Sequence, residues 1–379
     1  MTNLFGLTLQ QLQQLCSEQG LPRYTARQIC DWLYVKRIDS IDQMTNLSLA
    51  ARRRLSDCVM LRHTLPVDYQ TSKDGTKKYL FSADGLHPVE AVFIPETSNA
   101  QPTPQPRQLS TEGRRPPVEP TLNSQLSTFN SQLSIFNSQL SRATLCVSCQ
   151  RGCKMGCRFC VTGQQGFHGN LGVDDIMSQV LCIPEAEQLT NIVFMGMGEP
   201  MDNLDNILAA TEILTADWGL GWSPKRITVS TVGITPVMRR FLDESRCHLA
   251  VSLHNPFGDE RQQLMPMEKA YPIADTIELL RQYDWSGQRR VSFEYIMFDG
   301  LNDSRRHADG LLRLLRGLPC RINLIRFHTS PDMPYRTSSD ATIQQFRDYL
   351  NSHGITCTLR ASRGEDIMAA CGLLAGKGL

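Results

Sequence analysis

Cys153, Cys157 and Cys160 fall in C-x3-C-x2-C spacing within the segment CVSCQRGCKMGCRFCVTGQQGF. Three thiolates on one short loop can hold three irons of a four-iron cluster, leaving the fourth iron open to a substrate or cofactor. Gly152 and Gly156 give the loop the backbone freedom to wrap an object of that size. Zinc is the alternative metal. It takes four ligands, and Cys146, Cys149 or His168 would complete its shell. The three-cysteine spacing favours the cluster.

A loop that holds a cluster needs a rigid support. From Ala143 onward, strand-like and helix-like segments alternate. The strand candidates are Ala143–Ser148, Asn191–Gly196, Arg226–Thr231, His248–His254, Arg290–Met297 and Arg321–Phe327. Helical patterns lie between them, among them Val173–Cys182, Leu204–Leu214, Ile273–Tyr283, Ser304–Leu315 and Ala341–Leu350. Such alternation implies a parallel sheet with helices outside, and six units fit an incomplete (βα)6 barrel. The cysteine loop follows the first strand, at the C-terminal strand ends where α/β barrels carry their chemistry.

The rest of the chain reads differently. Residues 1–60 are helical, and Tyr79–Ser82 and Val89–Ile94 form β-prone runs about the turn residues Asp84 and Gly85. Together residues 1–96 form a small helical and β accessory unit. Residues 97–141 are a low-complexity insertion. It begins proline-rich and continues as NSQLSTF NSQLSIF NSQLS, without a charged side chain in the repeats, which predicts disorder or loose order. Residues 142–379 form the barrel with a C-terminal segment.

The 379 residues are 41% hydrophobic and 20% charged, enough apolar material for a sizeable core. No apolar run reaches membrane-spanning length, so no membrane partner is expected. Lys and Arg number 39 against 38 Asp and Glu, so global charge gives no support for a nucleic-acid partner. The thirteen cysteines, an odd count with no secretory signal ahead of them, argue against a disulfide scaffold and for a reducing, cytoplasmic compartment. Cys30 and Cys247 read as core filler.

The cysteine loop resembles that of the radical S-adenosylmethionine (SAM) superfamily. More narrowly, QICDWLY, DGTKKYLF, PVEAVFIP, RATLCVSCQRGCKMGCRFC, QQGF, MGMGEPMDN, SLHNP and RGEDIMAACG, in that order, resemble the RlmN/Cfr family of RNA methyltransferases. The resemblance implies methylation of adenine carbon 2 in 23S rRNA and tRNA. It implies one [4Fe-4S] cluster on Cys153, Cys157 and Cys160, with SAM on the open iron. Gly198, Glu199, Ser230, Ser252, Leu253, His254 and His328 match SAM-binding positions, the last where many relatives carry Asn. Residues 1–96 are then an RNA-contacting domain, and Arg52, Arg53, Arg54, Lys77, Lys78, Arg305 and Arg306 are candidate contacts.

Carbon 2 of adenine is not nucleophilic, and the family's answer is a methylated cysteine. By resemblance, Cys371 takes a methyl from one SAM, since thiolate is the nucleophile. A radical from a second SAM activates that methyl, which adds to adenine and leaves a crosslink. Glu90 matches the base that removes the C2 proton. Cys146 matches the thiol that attacks Cys371 and releases the base, leaving a disulfide for a cellular thiol reductant. A second reductant feeds the cluster, and a monomer is implied. Three rivals stay open. The first is a Cfr-type enzyme acting at adenine C8; QQGF and the N-terminal matches favour C2. The second is a radical SAM enzyme that installs a protein radical, against which Cys146 and Cys371 argue. The third is a non-enzymatic zinc protein that binds RNA. Cys149 stands where Ser is usual.

Overall fold

The computed structural model describes residues 1–82, 84–97, 140–287, 289–329 and 333–375. Near the N-terminus β1 (Thr2–Asn3) pairs parallel with β2 (Val59–Met60). Between them the helix Leu9–Glu18 starts at a capping box, in which Thr8 and Gln11 satisfy each other's backbone N–H groups. Its core face carries Leu12 and Cys16, while Leu9 and Leu15 are only half-buried. The helix Thr25–Cys30 runs on into a π-helical turn, Asp31–Val35, that buries Leu33 and Tyr34.

One ten-stranded sheet dominates the chain. Three antiparallel strands lead in: β3 (Pro66–Thr71), β4 (Lys77–Phe81) and β5 (Val89–Thr97). β5 then pairs antiparallel with β6 (Leu140–Cys146), and Thr97 lies opposite Leu140. The predicted insertion lies outside the described residues except at these strand ends. The chain therefore leaves and re-enters the sheet at paired positions, and Val92 stays in register with Cys146. Glu90 and Cys146 are brought together however long the intervening segment is.

After β6 comes a short hairpin of β7 (Gln150–Gly152) and β8 (Phe167–Asn170), which brackets the cysteine loop. The sheet continues through β9 (Asn191–Phe194), β10 (Ile227–Thr231), β11 (His248–Ser252), β12 (Val291–Met297), β13 (Arg321–Arg326) and β14 (Thr356–Leu359). All pair parallel in sequence order, so β6 to β14 form an α/β partial barrel. The six predicted strands are all present, with ends shifted by a few residues. The seventh parallel strand, β14, was not expected. Its TCTL run is too short and too polar to stand out from the sequence.

The crossover helices Val173–Leu181, Leu204–Thr215, Thr235–Glu244, Ile273–Arg281, Arg305–Leu314 and Asp340–Ser352 cover the outer face. Parallel strands cannot close through tight turns, so each return passes through such a helix. Cys30 and Cys247 are buried in the core, as their contexts suggest. No helix among the described residues is long and apolar enough to cross a membrane.

Candidate active site

The C-terminal ends of the parallel strands surround one cavity. Cys153, Cys157 and Cys160 line it together with Gly198, Glu199, Ser230, Ser252, His254 and Cys371. The hairpin holds the loop's entry: the N–H of Cys153 donates to the carbonyl of Gly166 at 2.8 Å. Its exit is held by the chain terminus, where Val161 N–H donates to Gly372 and Thr162 Oγ1 donates to the Leu374 carbonyl at 2.6 Å.

The three loop thiols share one electrostatic neighbourhood. Burial pushes the Cys153 thiol up to about 12, and burial raises Cys157 and Cys160 as well; Cys160 acts on both of the others. Each thiolate thus needs a cation to stabilise it, and a metal that displaces the proton supplies one. Three thiols lining one cavity could hold an iron–sulfur cluster by three of its irons. His168 is engaged elsewhere, stacked on His87 at 4.2 Å, and Cys149 is buried behind the loop.

Glu199 is fully enclosed. Its Oε1 accepts from Met201 N–H at 3.0 Å and its Oε2 from Val232 N–H at 2.9 Å. Burial pushes its carboxyl up to about 7 against these hydrogen bonds. A partner with a positive charge would therefore draw out its anionic form. Gly198 has φ near +102°, and a Cβ there would lie 2.6 Å from Gln150, so the close turn requires glycine. Ser230 Oγ donates to the Phe194 carbonyl at 2.7 Å and keeps its acceptor lone pairs.

His254 sits in left-handed backbone at φ 54°, with Nδ1 accepting from Ile296 N–H at 3.0 Å. Burial, helped by nearby Arg261, holds its pKa down at about 3, so the ring is neutral. Arg261 fastens the neighbouring strand ends: it is almost wholly buried and donates to the carbonyls of Val232, Ser252 and Leu253 while paired with Glu268.

Two predicted cofactor positions lie elsewhere. Leu253 is fully buried and does not line the cavity; its backbone bonds Glu294 and Arg261. His328 lines a second cavity, with Nε2 3.3 Å from Ser362 and Nδ1 3.5 Å from Glu365.

Cys371 lines both cavities, so its accessible surface faces them. Cys146 sits at the end of β6, and burial, reinforced by Cys371, raises its thiol to about 12. Arg360 acts on both sulfurs and is paired with Glu294 at 3.3 Å. All thirteen cysteines are free, so the structure contains no disulfide between Cys146 and Cys371 or elsewhere. Glu90 is buried on the adjacent strand, with Oε1 3.4 Å from Lys78 Nζ and Oε2 accepting from Ala375 N–H at 3.0 Å. Glu294, Arg360 and Arg261 are site residues that the sequence reading missed. A charged residue inside a buried strand, as in FEY, was the available signal for Glu294.

The Radical SAM superfamily matches residues 147–311, and the ribosomal RNA large subunit methyltransferase N-terminal domain matches residues 2–61. The chain is 50% identical over 371 residues to a probable dual-specificity RNA methyltransferase RlmN of Parabacteroides distasonis, covering 98% of this chain and 96% of that one. The chain belongs to the RlmN family. A second member, the dual-specificity RNA methyltransferase RlmN of Syntrophus aciditrophicus, is 39% identical over all of this chain and 97% of its own. A crystal structure of a radical SAM methyltransferase from Sphaerobacter thermophilus superposes with TM-score 0.81 at 36% identity, covering 100% of both chains. Membership of the RlmN family, and so of the radical SAM superfamily, implies a [4Fe-4S] cluster and SAM, and the cavity ringed by Cys153, Cys157 and Cys160 fits them.

Proposed function

We propose that this chain methylates carbon 2 of adenosine in 23S rRNA and in tRNA through a methylated cysteine. The observation that carries the reading is Cys371. It stands where the cavity of the cluster thiols meets a second cavity, in electrostatic reach of Cys146. A methyl carrier has to face the cofactor that supplies the methyl and the base that receives it.

When bound, the cluster and SAM supply a carbon-centred radical by reductive cleavage of SAM. The residues of the chain do the rest. Cys153, Cys157 and Cys160 are the cluster ligands. Gly198, Glu199, Ser230, Ser252 and His254 hold SAM, with Leu253 and His328 behind them. Cys371 carries the methyl group and then the crosslink to adenine. Glu90 removes the C2 proton, and Arg360 stabilises thiolate character at both sulfurs. Cys146 attacks the Cys371 sulfur, releasing the methylated base and leaving a transient disulfide that a thiol reductant resolves. A separate electron donor reduces the cluster. The enzyme works as a monomer in the cytoplasm, where thiols are kept reduced.

The test uses anaerobically prepared enzyme with about four irons per chain, SAM, reductant and RNA. Mapping by mass places the methyl group, and 8-methyladenosine in place of 2-methyladenosine overturns the regiochemistry. Cys146→Ala enzyme is expected to accumulate a covalent protein–RNA adduct. Normal release of methylated RNA by that variant overturns the resolving role.

A further inference from the structure

Arg261 stands behind the wall of the cavity that the loop cysteines line. It lies on the short helix Gly258–Leu264 and is 1% exposed. Its Nε donates to the Leu253 carbonyl at 2.9 Å. Its Nη2 donates to the carbonyls of Val232 at 2.9 Å and Ser252 at 2.8 Å. Its Nη1 is paired with Glu268, whose carboxylate also accepts from Ile273 N–H at 3.0 Å. Val232 and Ser252 line the cavity, so the guanidinium touches the back of its wall.

The same helix meets the cysteine loop. The N–H of Arg158, next to Cys157, donates to the Leu264 carbonyl at 2.9 Å. Met265 N–H donates to the Arg261 carbonyl at 2.7 Å, and Met265 lines the cavity together with Cys157. Among the three loop thiols Cys157 is the buried one. Burial first, then Cys160 and Cys153, disfavour a thiolate there; Arg261 opposes them, and Glu199 adds a smaller effect in their sense. Glu268 is not among the groups that dominate at Cys157. An arginine keeps its charge when buried, and a dry interior screens that charge little. A strap for strand-end carbonyls needs N–H donors. It does not need a full positive charge beside a loop of thiols, and a buried ion pair is a weak source of stability.

We infer that Arg261 is a positioning residue for the cluster: it fixes the strand ends and places behind Cys157 a positive charge that raises the cluster's reduction potential, with Glu268 moderating it. The inference rests on the reading of Cys153, Cys157 and Cys160 as cluster ligands and adds the residue that tunes them. A one-electron donor is oxidised as it reduces the cluster, and the group on these thiolates becomes one unit more negative. Charge, burial and hydrogen bonding around the ligands set how readily that happens. A fixed cation favours the reduced form, and its counter-charge opposes it.

The experiment titrates anaerobically loaded enzyme, before SAM is added, with a low-potential reductant and reads the midpoint from the EPR signal of the reduced cluster. Arg261→Gln/Glu268→Gln removes both charges, so neither is orphaned. Its midpoint is expected to be more negative than the parent's by about a tenfold change in the reduction equilibrium, ~59 mV for one electron. Glu268→Gln alone keeps Arg261 and an oxygen that accepts from it, and its midpoint is expected to move in the positive direction. Equal midpoints, or shifts of one sign in both variants, overturn the inference, since a disturbance of packing has no sign tied to charge. If the double variant does not fold or load iron, Glu268→Gln decides alone, and an unchanged or more negative midpoint overturns the inference. The parent keeps the two readings apart. If it holds no iron–sulfur cluster, the ligand reading fails. If it holds one and both variants match its midpoint, only the role of Arg261 fails.

Discussion

The backbone N–H of Ala375 donates to Oε2 of Glu90 across 3.0 Å, while Lys78 Nζ stands 3.4 Å from Oε1. The segment that carries Cys371 is thus tied to the residue proposed as the base, whose buried carboxylate also has Lys78 beside it. The Lys78→Met variant is expected to lose stability, because the buried Glu90 carboxylate loses a cationic neighbour. Adding Glu90→Gln to Lys78→Met should recover much of the loss. Urea unfolding of the two variants against the parent checks both.

Arg360 is expected to set the reactivity of both sulfurs. Its guanidinium acts on Cys146 and Cys371 and pairs with Glu294, which is almost fully buried. Burial raises the Cys371 thiol, and Arg360 opposes that shift while Glu294 adds to it. In Arg360→Met the opposing charge is gone and Glu294 is left unpaired, so the thiol pKa rises further. The expected outcome is slower alkylation of Cys371 by iodoacetamide at pH 8, read by peptide mass spectrometry, with the difference shrinking as pH increases.

His254 gives a pH dependence with a definite sign. Its folded pKa is held down at about 3, first by burial and then by Arg261, against an ordinary value of 6.5. Below 6.5 the unfolded chain binds a proton that the folded chain does not, so this group lowers stability as pH falls toward 3. Above 6.5 it contributes nothing. His254→Asn suits the left-handed backbone and retains an acceptor for the Ile296 N–H. Unfolding of the cluster-free protein between pH 7 and pH 5 should show a shallower loss of stability in the variant. A parallel pair of curves would contradict the assignment.

How much of this was legible beforehand depended on sequence separation. The cysteine loop could be read because the three cysteines proposed as ligands lie within eight residues on one loop, and spacing alone encodes their closeness. The strand leading to Glu199 and the strands carrying Ser230 and Ser252 were legible because buried parallel strands are apolar runs. Arg360 and Glu294 were not, since their pairing crosses from β12 to the residue after β14, a strand too short and polar to be recognised. His328 shows where spacing runs out: it lies just past a strand end, and its ring has Ser362 and Glu365 as neighbours. Register along a strand is legible in sequence, but the face of a loop residue is set by tertiary packing.

The two loop glycines separate conformational need from spatial need. Both have positive φ, near +70° at Gly152 and +63° at Gly156. At Gly156 nothing lies within 4 Å of an added Cβ, so Gly156→Asn meets only the left-handed backbone penalty, about 1 kcal/mol. At Gly152 an added Cβ would lie 1.9 Å from the carbonyl oxygen of Gly166, the acceptor that fixes the Cys153 N–H. Gly152→Ala must therefore push apart the strand pairing that positions Cys153, the first of the proposed ligands. The expected result is near-normal iron per chain for Gly156→Asn and a severe loss for Gly152→Ala after the same anaerobic reconstitution. The charge-transfer absorbance of the cluster should follow the same order. Equal iron loading in the two variants would mean that the loop closes around its metal without the Gly152–Gly166 contact.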